Sequence, residues 1–250
     1  MISSARRRHQ AAGALVAVIV WTIIGWRIGS AFPGPVKFLR ATVDLYRSGA
    51  LIDALAGTAG RLALGYGLAI IVAFPLGAAM GLSPWVDTFV DTYVTTLFVT
   101  SVASLLPLLI LVAGTGVGFY LTVVFLFSVF HMLLLVRAGL TRVKPGTRDA
   151  GRVFGATGWR SYVYVLLPAA LPHAVAALRV GYNRAVKGAV VAELWVYAGV
   201  GELLHGYQRF SQISSALVVI AHVMLLAVLG ARLLRLVERR YAGWREVTVQ

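Results

Sequence analysis

Cysteine is missing from all 250 residues. That excludes a disulfide framework, a thiolate metal site and a cysteine nucleophile. Charge is scarce: Asp, Glu, Lys and Arg make up 13% of the chain, about half the usual share of a soluble domain. Acid is scarcest, with 9 Asp and Glu against 23 Lys and Arg and a net charge of +14. So little charge does not coat a water-facing surface, which excludes an ordinary soluble enzyme, a disordered protein and a fibrous repeat. What is abundant is apolar: 59% of the residues are hydrophobic and the mean hydropathy is +0.83. The composition is that of a polytopic helical membrane protein. In such a chain the basic excess reads as basic segments retained on the cytoplasmic side rather than as a nucleic-acid surface.

Several chemical signatures are also missing from the sequence. There is no G-x-x-x-x-G-K-[ST], no H-E-x-x-H and no G-x-S-x-G. The run Gly114-Thr115-Gly116-Val117-Gly118 is not a dinucleotide fingerprint and reads as a hairpin between spans. His9, His131, His173, His205 and His222 show no ligand spacing. The chain is therefore expected to bind no cofactor or metal and to carry no catalytic residues. An intramembrane enzyme would need a convergent acid and base set, and the spans hold almost no acid beyond Glu193.

A spanning helix needs about 20 mostly apolar residues. Six runs qualify, at about 11–28, 60–82, 93–113, 119–136, 174–198 and 214–231. Arg6, Arg7 and Arg8 precede the first run, no small-residue cleavage site follows it, and it reads as a retained span. Between the first two runs, Phe32-Pro33-Gly34-Pro35 makes a turn. Val36, Leu39, Val43 and Tyr46 then recur at helical spacing among Lys37, Arg40 and Asp44, an amphipathic interfacial helix. Residues 137–172 form a long polar, basic loop ending in Pro168 and Pro172, and 83–92 a short one. The whole chain, 1–250, reads as one transmembrane domain.

Six crossings put both termini on one side. With the N-terminus inside, fourteen basic residues fall inside, at positions 6–8, 137, 142, 144, 148, 152, 160, 232, 235, 239, 240 and 245. Four fall outside: Lys37, Arg40, Arg47 and Arg209. The asymmetry predicts both ends in the cytoplasm. One segment goes against the pattern: 83–92 should be inside but holds only Asp87 and Asp91.

The fifth run carries a polar stripe. At 100° per residue, with Arg179 at 0°, Asn183 falls at about 40°, Lys187 at about 80° and Glu193 at about −40°. Arg184 lies just outside, at about 140°. Charges at bilayer depth face protein or water. The stripe of Arg179, Asn183, Lys187 and Glu193 is therefore expected to face a translocation pathway or a partner protomer. Glu193 and Lys187 are six residues apart, so no simple intrahelical pair neutralises the lysine. A cationic pathway suits an anionic solute.

The long loop reads as a short helix, a Gly155-Ala156-Thr157-Gly158 turn and a second short helix near Trp159, with Thr157 as its N-cap. Asp149 is expected at the start of the first helix, where a carboxylate favours the positive end of the helix dipole. Asp149-Ala150-Gly151, then Gly155, then Val165-Leu166-Leu167-Pro168 resembles the E-A-A…G…I-x-L-P loop of binding-protein-dependent ABC importer permeases. Across the chain, Phe32-Pro33-Gly34-Pro35, Leu76-Gly77-Ala78-Ala79-Met80-Gly81 and Val191-Ala192-Glu193-Leu194 are similar to the aliphatic sulfonate, taurine and nitrate subfamily. Asp149 and Gly151 depart from the pattern. So do Ser101-Val102-Ala103-Ser104, where a proline-rich stretch is usual, and Val112-Ala113-Gly114-Thr115-Gly116, where W-F-G-x-G is usual.

The resemblance implies an all-α type I importer fold in a bacterial cytoplasmic (inner) membrane. It implies half of a dimeric pathway, with a second permease protomer, a cytosolic ATPase dimer that binds the ATP and Mg, an extracytoplasmic solute-binding protein and surrounding lipid. It makes Asp149, Ala150, Gly151, Gly155, Ala156, Trp159 and Pro168 the coupling loop. The competing reading is a secondary transporter or channel, which would show two related halves with discontinuous helices. No internal repeat is visible in the sequence.

Overall fold

The computed structural model describes residue 16, residues 19–27 and residues 33–242. The described residues are helical with no strand. We number the helices α1 (19–27), α2 (Pro35–Arg47), α3 (Ala50–Leu82), α4 (Pro84–Val99), α5 (Leu106–Ala113), α6 (Val117–Thr141), α7 (Pro145–Val153), α8 (Gly158–Ser161), α9 (Leu167–Val196), α10 (Gly199–Arg209) and α11 (Ile213–Ala242). Of the expected first span, 11–28, residues 11–15, 17, 18 and 28 lie outside the described residues. Within α1, Trp21 donates its indole N–H to the Pro33 carbonyl at 3.0 Å.

Proline and serine punctuate the chain where backbone donors would go unused. Pro35 and Pro84 sit in the first turns of α2 and α4, positions whose N–H has no helical partner. Ser83 caps α4, its Oγ accepting from the Val86 N–H at 3.5 Å. α3 runs 33 residues with Pro75 inside, about 50 Å at 1.5 Å per residue, longer than a bilayer core requires. It begins ten residues before the expected span, because Gly49 at φ +75° turns the chain directly out of α2.

The bundle centre is α6, packed between α3 and α9. Hydrophobicity does not drive helices together in lipid, so close backbone approach has to. A Cβ on Gly77 would sit 2.8 Å from the Leu133 carbonyl of α6, and one on Gly188 would sit 2.9 Å from Phe127 Cβ. Ala69, Ala73, Met132, Leu133 and Ala177 fill the resulting core. A second cluster, Leu45, Leu51, Val200, Leu204 and Val218, ties α2 and α10 to α3 and α11.

Three expectations are corrected. The third run, 93–113, is not one continuous helix: α4 and the segment Val102–Ala113 meet at 85°. Thr100 and Ser101 are extended, with ψ of 132° and 109°, and Pro107 opens α5, so the helix cannot run through. Residues 84–92 belong to α4 and are not a loop. The long loop is shorter than 137–172, since α6 continues to Thr141 and helix resumes at Gly158. Pro168 and Pro172, expected to end the loop, lie within α9. A π-helical turn, Tyr162–Leu166, precedes α9, and the Leu167 N–H bonds to the Tyr162 carbonyl. The turn absorbs the register that Pro168, without an N–H, cannot hold.

Candidate functional site

α9 places its buried and exposed residues on opposite arcs. On the angular scale used above, Pro172, Asn183, Lys187, Arg184 and Trp195 lie between about 20° and 160°, and all five are exposed. Gly181, Tyr182, Ala185, Val186, Ala189 and Ala192 face the bundle and are buried. Asn183 and Lys187 thus share an open face, joined by Arg184. Arg179 is half-buried at its edge. Among the described residues, no carboxylate lies within ion-pair reach of Arg184 or Lys187.

Glu193 does not share that face, which corrects the four-residue stripe. It is fully buried, turned toward α3 and α10. Its Oε1 accepts from Arg61 Nε at 3.0 Å and Nη2 at 2.7 Å. Its Oε2 accepts from Thr58 Oγ1 at 2.8 Å and the Val200 N–H at 3.1 Å. The Arg61 guanidinium also lies 4.9 Å from the centre of the Tyr120 ring. A buried carboxylate needs a charge partner and satisfied lone pairs, and here four donors provide both. The carbonyl of Glu193 accepts from the Ala198 N–H at 3.3 Å, while Tyr197 holds a left-handed φ of 54°. One side chain therefore fixes the α9–α10 corner onto α3. The sequence carried a signal for this pair: an in-span arginine and an in-span glutamate each require a partner.

The loop helix α7 begins at Pro145, so Asp149 occupies its fifth position. The expected placement at the helix start is corrected, and the dipole argument does not apply to it. Asp149 is exposed, 3.6 Å from Arg152 one turn on. α7 ends in a Schellman motif: the Gly155 N–H bonds the Arg152 carbonyl and the Ala156 N–H the Gly151 carbonyl, both at 2.9 Å. Gly155 is left-handed at φ +78°, and a Cβ there would meet nothing within 4 Å. The Thr157 carbonyl accepts from the Arg160 N–H at 3.1 Å, starting α8, which contains the backbone of Trp159.

Gly151 is buried, and a Cβ on it would come within 2.8 Å of Val165 Cγ2. The departure from alanine at 151 is thus matched to a β-branched residue on the π turn. Ala150 is exposed and Ala156 half-buried. Pro168 sits in the first turn of α9. Around this join, Val153, Phe154 and Tyr164 are 84%, 88% and 75% exposed. A groove of about 340 Å³ lies among Phe154, Gly155, Ala156, Arg160 and Tyr164. Apolar side chains this open mark a contact surface. Sequence reasoning overlooked Phe154 and Tyr164 because it followed the glycine pattern alone.

A family model described as "Binding-protein-dependent transport system inner membrane component" matches residues 65–243. The chain is 26% identical over 236 residues to a probable ABC transporter permease protein of Brucella abortus, covering 89% of this chain and 91% of that one. It is 26% identical over 239 residues to the taurine transport system permease protein of Escherichia coli, covering 92% and 87%. It is 27% identical over 237 residues to a putative aliphatic sulfonates transport permease protein of Bacillus subtilis, covering 92% and 85%. Among solved structures, a chain of an amino acid ABC transporter crystallised with histidines superposes with a TM-score of 0.61 at 19% identity, over 79% of this chain and 97% of that one. That likeness shows a shared fold.

Proposed function

The chain belongs to the family of binding-protein-dependent transport system inner membrane components, and on that premise we propose that it carries a small anionic solute, sulfonate- or taurine-like, across the inner membrane past the open face of α9. It is a permease subunit of an ABC importer. The observation that carries the solute reading is the pairing of exposed Arg184 and Lys187 with exposed Asn183 on a helix whose other face is buried. A cation at bilayer depth that faced lipid would be expensive. Facing a water-filled pathway, it offers an anion a charge partner, and Asn183 offers both a donor and an acceptor. The named relatives that move taurine or aliphatic sulfonates agree with this solute class.

The partners follow from the same reading. A second permease protomer completes the pathway across the open face. A cytosolic ATPase dimer, which binds the ATP and Mg, docks on α7 and its join, against Asp149, Ala150, Phe154, Gly155, Ala156 and Trp159. A solute-binding protein delivers cargo at the opposite end, and both termini lie inside.

The test is uptake into vesicles holding the assembled importer, with labelled taurine, an alkanesulfonate, nitrate and a neutral amino acid as probes. We expect an anion from this panel to be imported. Lys187→Met should cut that uptake about tenfold, the effect of losing about 1.4 kcal/mol of interaction, with assembly intact. Import of the neutral probe alone, or unchanged anion uptake by Lys187→Met, overturns the anionic reading.

A further inference from the structure

α4 has four distinct edges. Val86, Val90 and Val94 lie within about 80° of one another and pack into the core. Trp85, Phe89 and Tyr93 form an exposed aromatic ladder on one side of the valines. Thr88, Thr92, Thr95 and Thr96 are exposed opposite. Asp87 and Asp91, one turn apart, occupy the remaining edge and share a single arginine. Arg137 of α6 reaches Asp87 Oδ1 through Nε at 2.7 Å and Asp87 Oδ2 through Nη2 at 2.8 Å. Its Nη1 holds Asp91 Oδ1. The three side chains are 25–39% exposed.

Arg137 lies in the last turns of α6, and the same turn is held from the other side. Arg148 of α7 donates from Nη2 to the Leu140 carbonyl at 2.9 Å. Leu140 is buried with Leu166 and Ala170, at the foot of α9. A push on α7 is therefore delivered to the end of α6, and from there to α4 through Arg137. At its far end α4 meets the 85° bend at Thr100 and Ser101.

We propose that Arg137 is a positioning residue: a latch that transmits movement of the ATPase-docking helix α7 to α4 and so sets the opening of the inner end of the pathway. This rests on the importer reading above. The charge balance makes the latch switchable. Two carboxylates at i and i+4 repel each other, and only the shared guanidinium holds both. Once Arg137 withdraws, repulsion and partial hydration favour release of the inner end of α4. The triad also accounts for the acidic segment that broke the basic-inside pattern, since Asp87 and Asp91 are neutralised from a neighbouring helix.

The cysteine-free parent allows a direct test. Spin labels on Thr88→Cys and Thr141→Cys, both exposed positions, report the separation of α4 and α6 in the full chain reconstituted in nanodiscs. The Arg137-containing chain should give a narrow distance distribution. Arg137→Gln should give one roughly twofold broader and shifted outward. Arg137→Asp combined with Asp91→Arg rebuilds two acids around one arginine and should restore the narrow distribution. In the complex with its copurified ATPase chain, Arg137→Gln should raise cargo-independent ATP hydrolysis about fivefold, the low end of ordinary coupling effects. A parent-like distribution in Arg137→Gln, or no narrowing in the swapped pair, overturns the latch. Broadened distances with unchanged hydrolysis overturn its role in transmission. If no ATPase copurifies with the parent, the importer reading fails, while the distances still decide the latch.

Discussion

Glu193 is the residue whose role changes most between sequence and structure. Its place in the apolar run shows that it needs a partner, but the sequence does not name which one, because Arg61 lies 132 residues earlier on another helix. Helical angle alone put Glu193 about 120° from Lys187, close enough to suggest one stripe. Burial separates them: the wall of α3 reaches the Glu193 edge of α9 and stops short of the Lys187 edge. Removing one member of a buried pair leaves the other without compensation. Glu193→Gln keeps the shape and most hydrogen bonds but strands Arg61, whose side chain is 23% exposed. It should lower stability by about 3 kcal/mol. Glu193→Gln with Arg61→Met should recover part of that loss. Thermal unfolding in detergent, run as a double-mutant cycle, gives the coupling, and independent effects of the two substitutions would show that the pair is not what holds the α9–α10 corner.

The elements were legible to the extent that each is locally determined. Apolar runs gave α3, α6, α9 and α11, because a helix that must satisfy its own backbone in lipid announces itself by composition. The amphipathic α2 and the turn at Gly155 were legible for the same local reason. The bend between α4 and α5 was not, since Ser101-Val102-Ala103-Ser104 is apolar enough to extend a span and a single proline such as Pro107 is tolerated inside one. The π turn was hidden because two prolines read more simply as the end of a loop. The join of α7 to that turn yields a sharp expectation. Gly151→Ala restores the commoner residue of the loop pattern but drives a Cβ to 2.8 Å from Val165 Cγ2. Overpacking of this kind destabilises by about 1–3 kcal/mol. Gly151→Ala should loosen α7, seen as faster proteolysis between Lys144 and Arg160, and Val165→Ala in the same chain should restore protection. Equal cleavage rates in all three chains would show that α7 does not depend on this contact.

At the scale of the whole molecule the open question is whether the bent pair α4–α5 crosses the membrane or returns to the side it came from. Among the described residues, four helices are long and apolar enough to cross alone, and the bent pair would make a fifth. Contacts at the two ends of the bundle decide the parity. Lys37, Arg40, Asp44 and Ser48, before α3, line one groove with Tyr207, Gln212 and Ser215, after α9. Both groups must therefore lie on one side, and an even number of crossings separates them. α3, α6 and α9 supply three, so the bent pair supplies the fourth. The other end agrees: Leu82, at the end of α3, lines a cavity with Arg152, Thr157 and Ser161, and only the bent pair and α6 lie between them. A half-turn excursion would leave a single crossing and set these groups on opposite faces. The basic asymmetry predicts that the α7 side of the bundle lies inside. In the cysteine-free parent, Ser48→Cys should react with an impermeant maleimide added outside, Ser161→Cys should not, and Gln212→Cys should follow Ser48→Cys. Labelling of 48 and 161 from the same side would make α4–α5 a re-entrant loop, and labelling of 161 alone from outside would invert the bundle and remove α7 from the reach of any cytosolic ATPase.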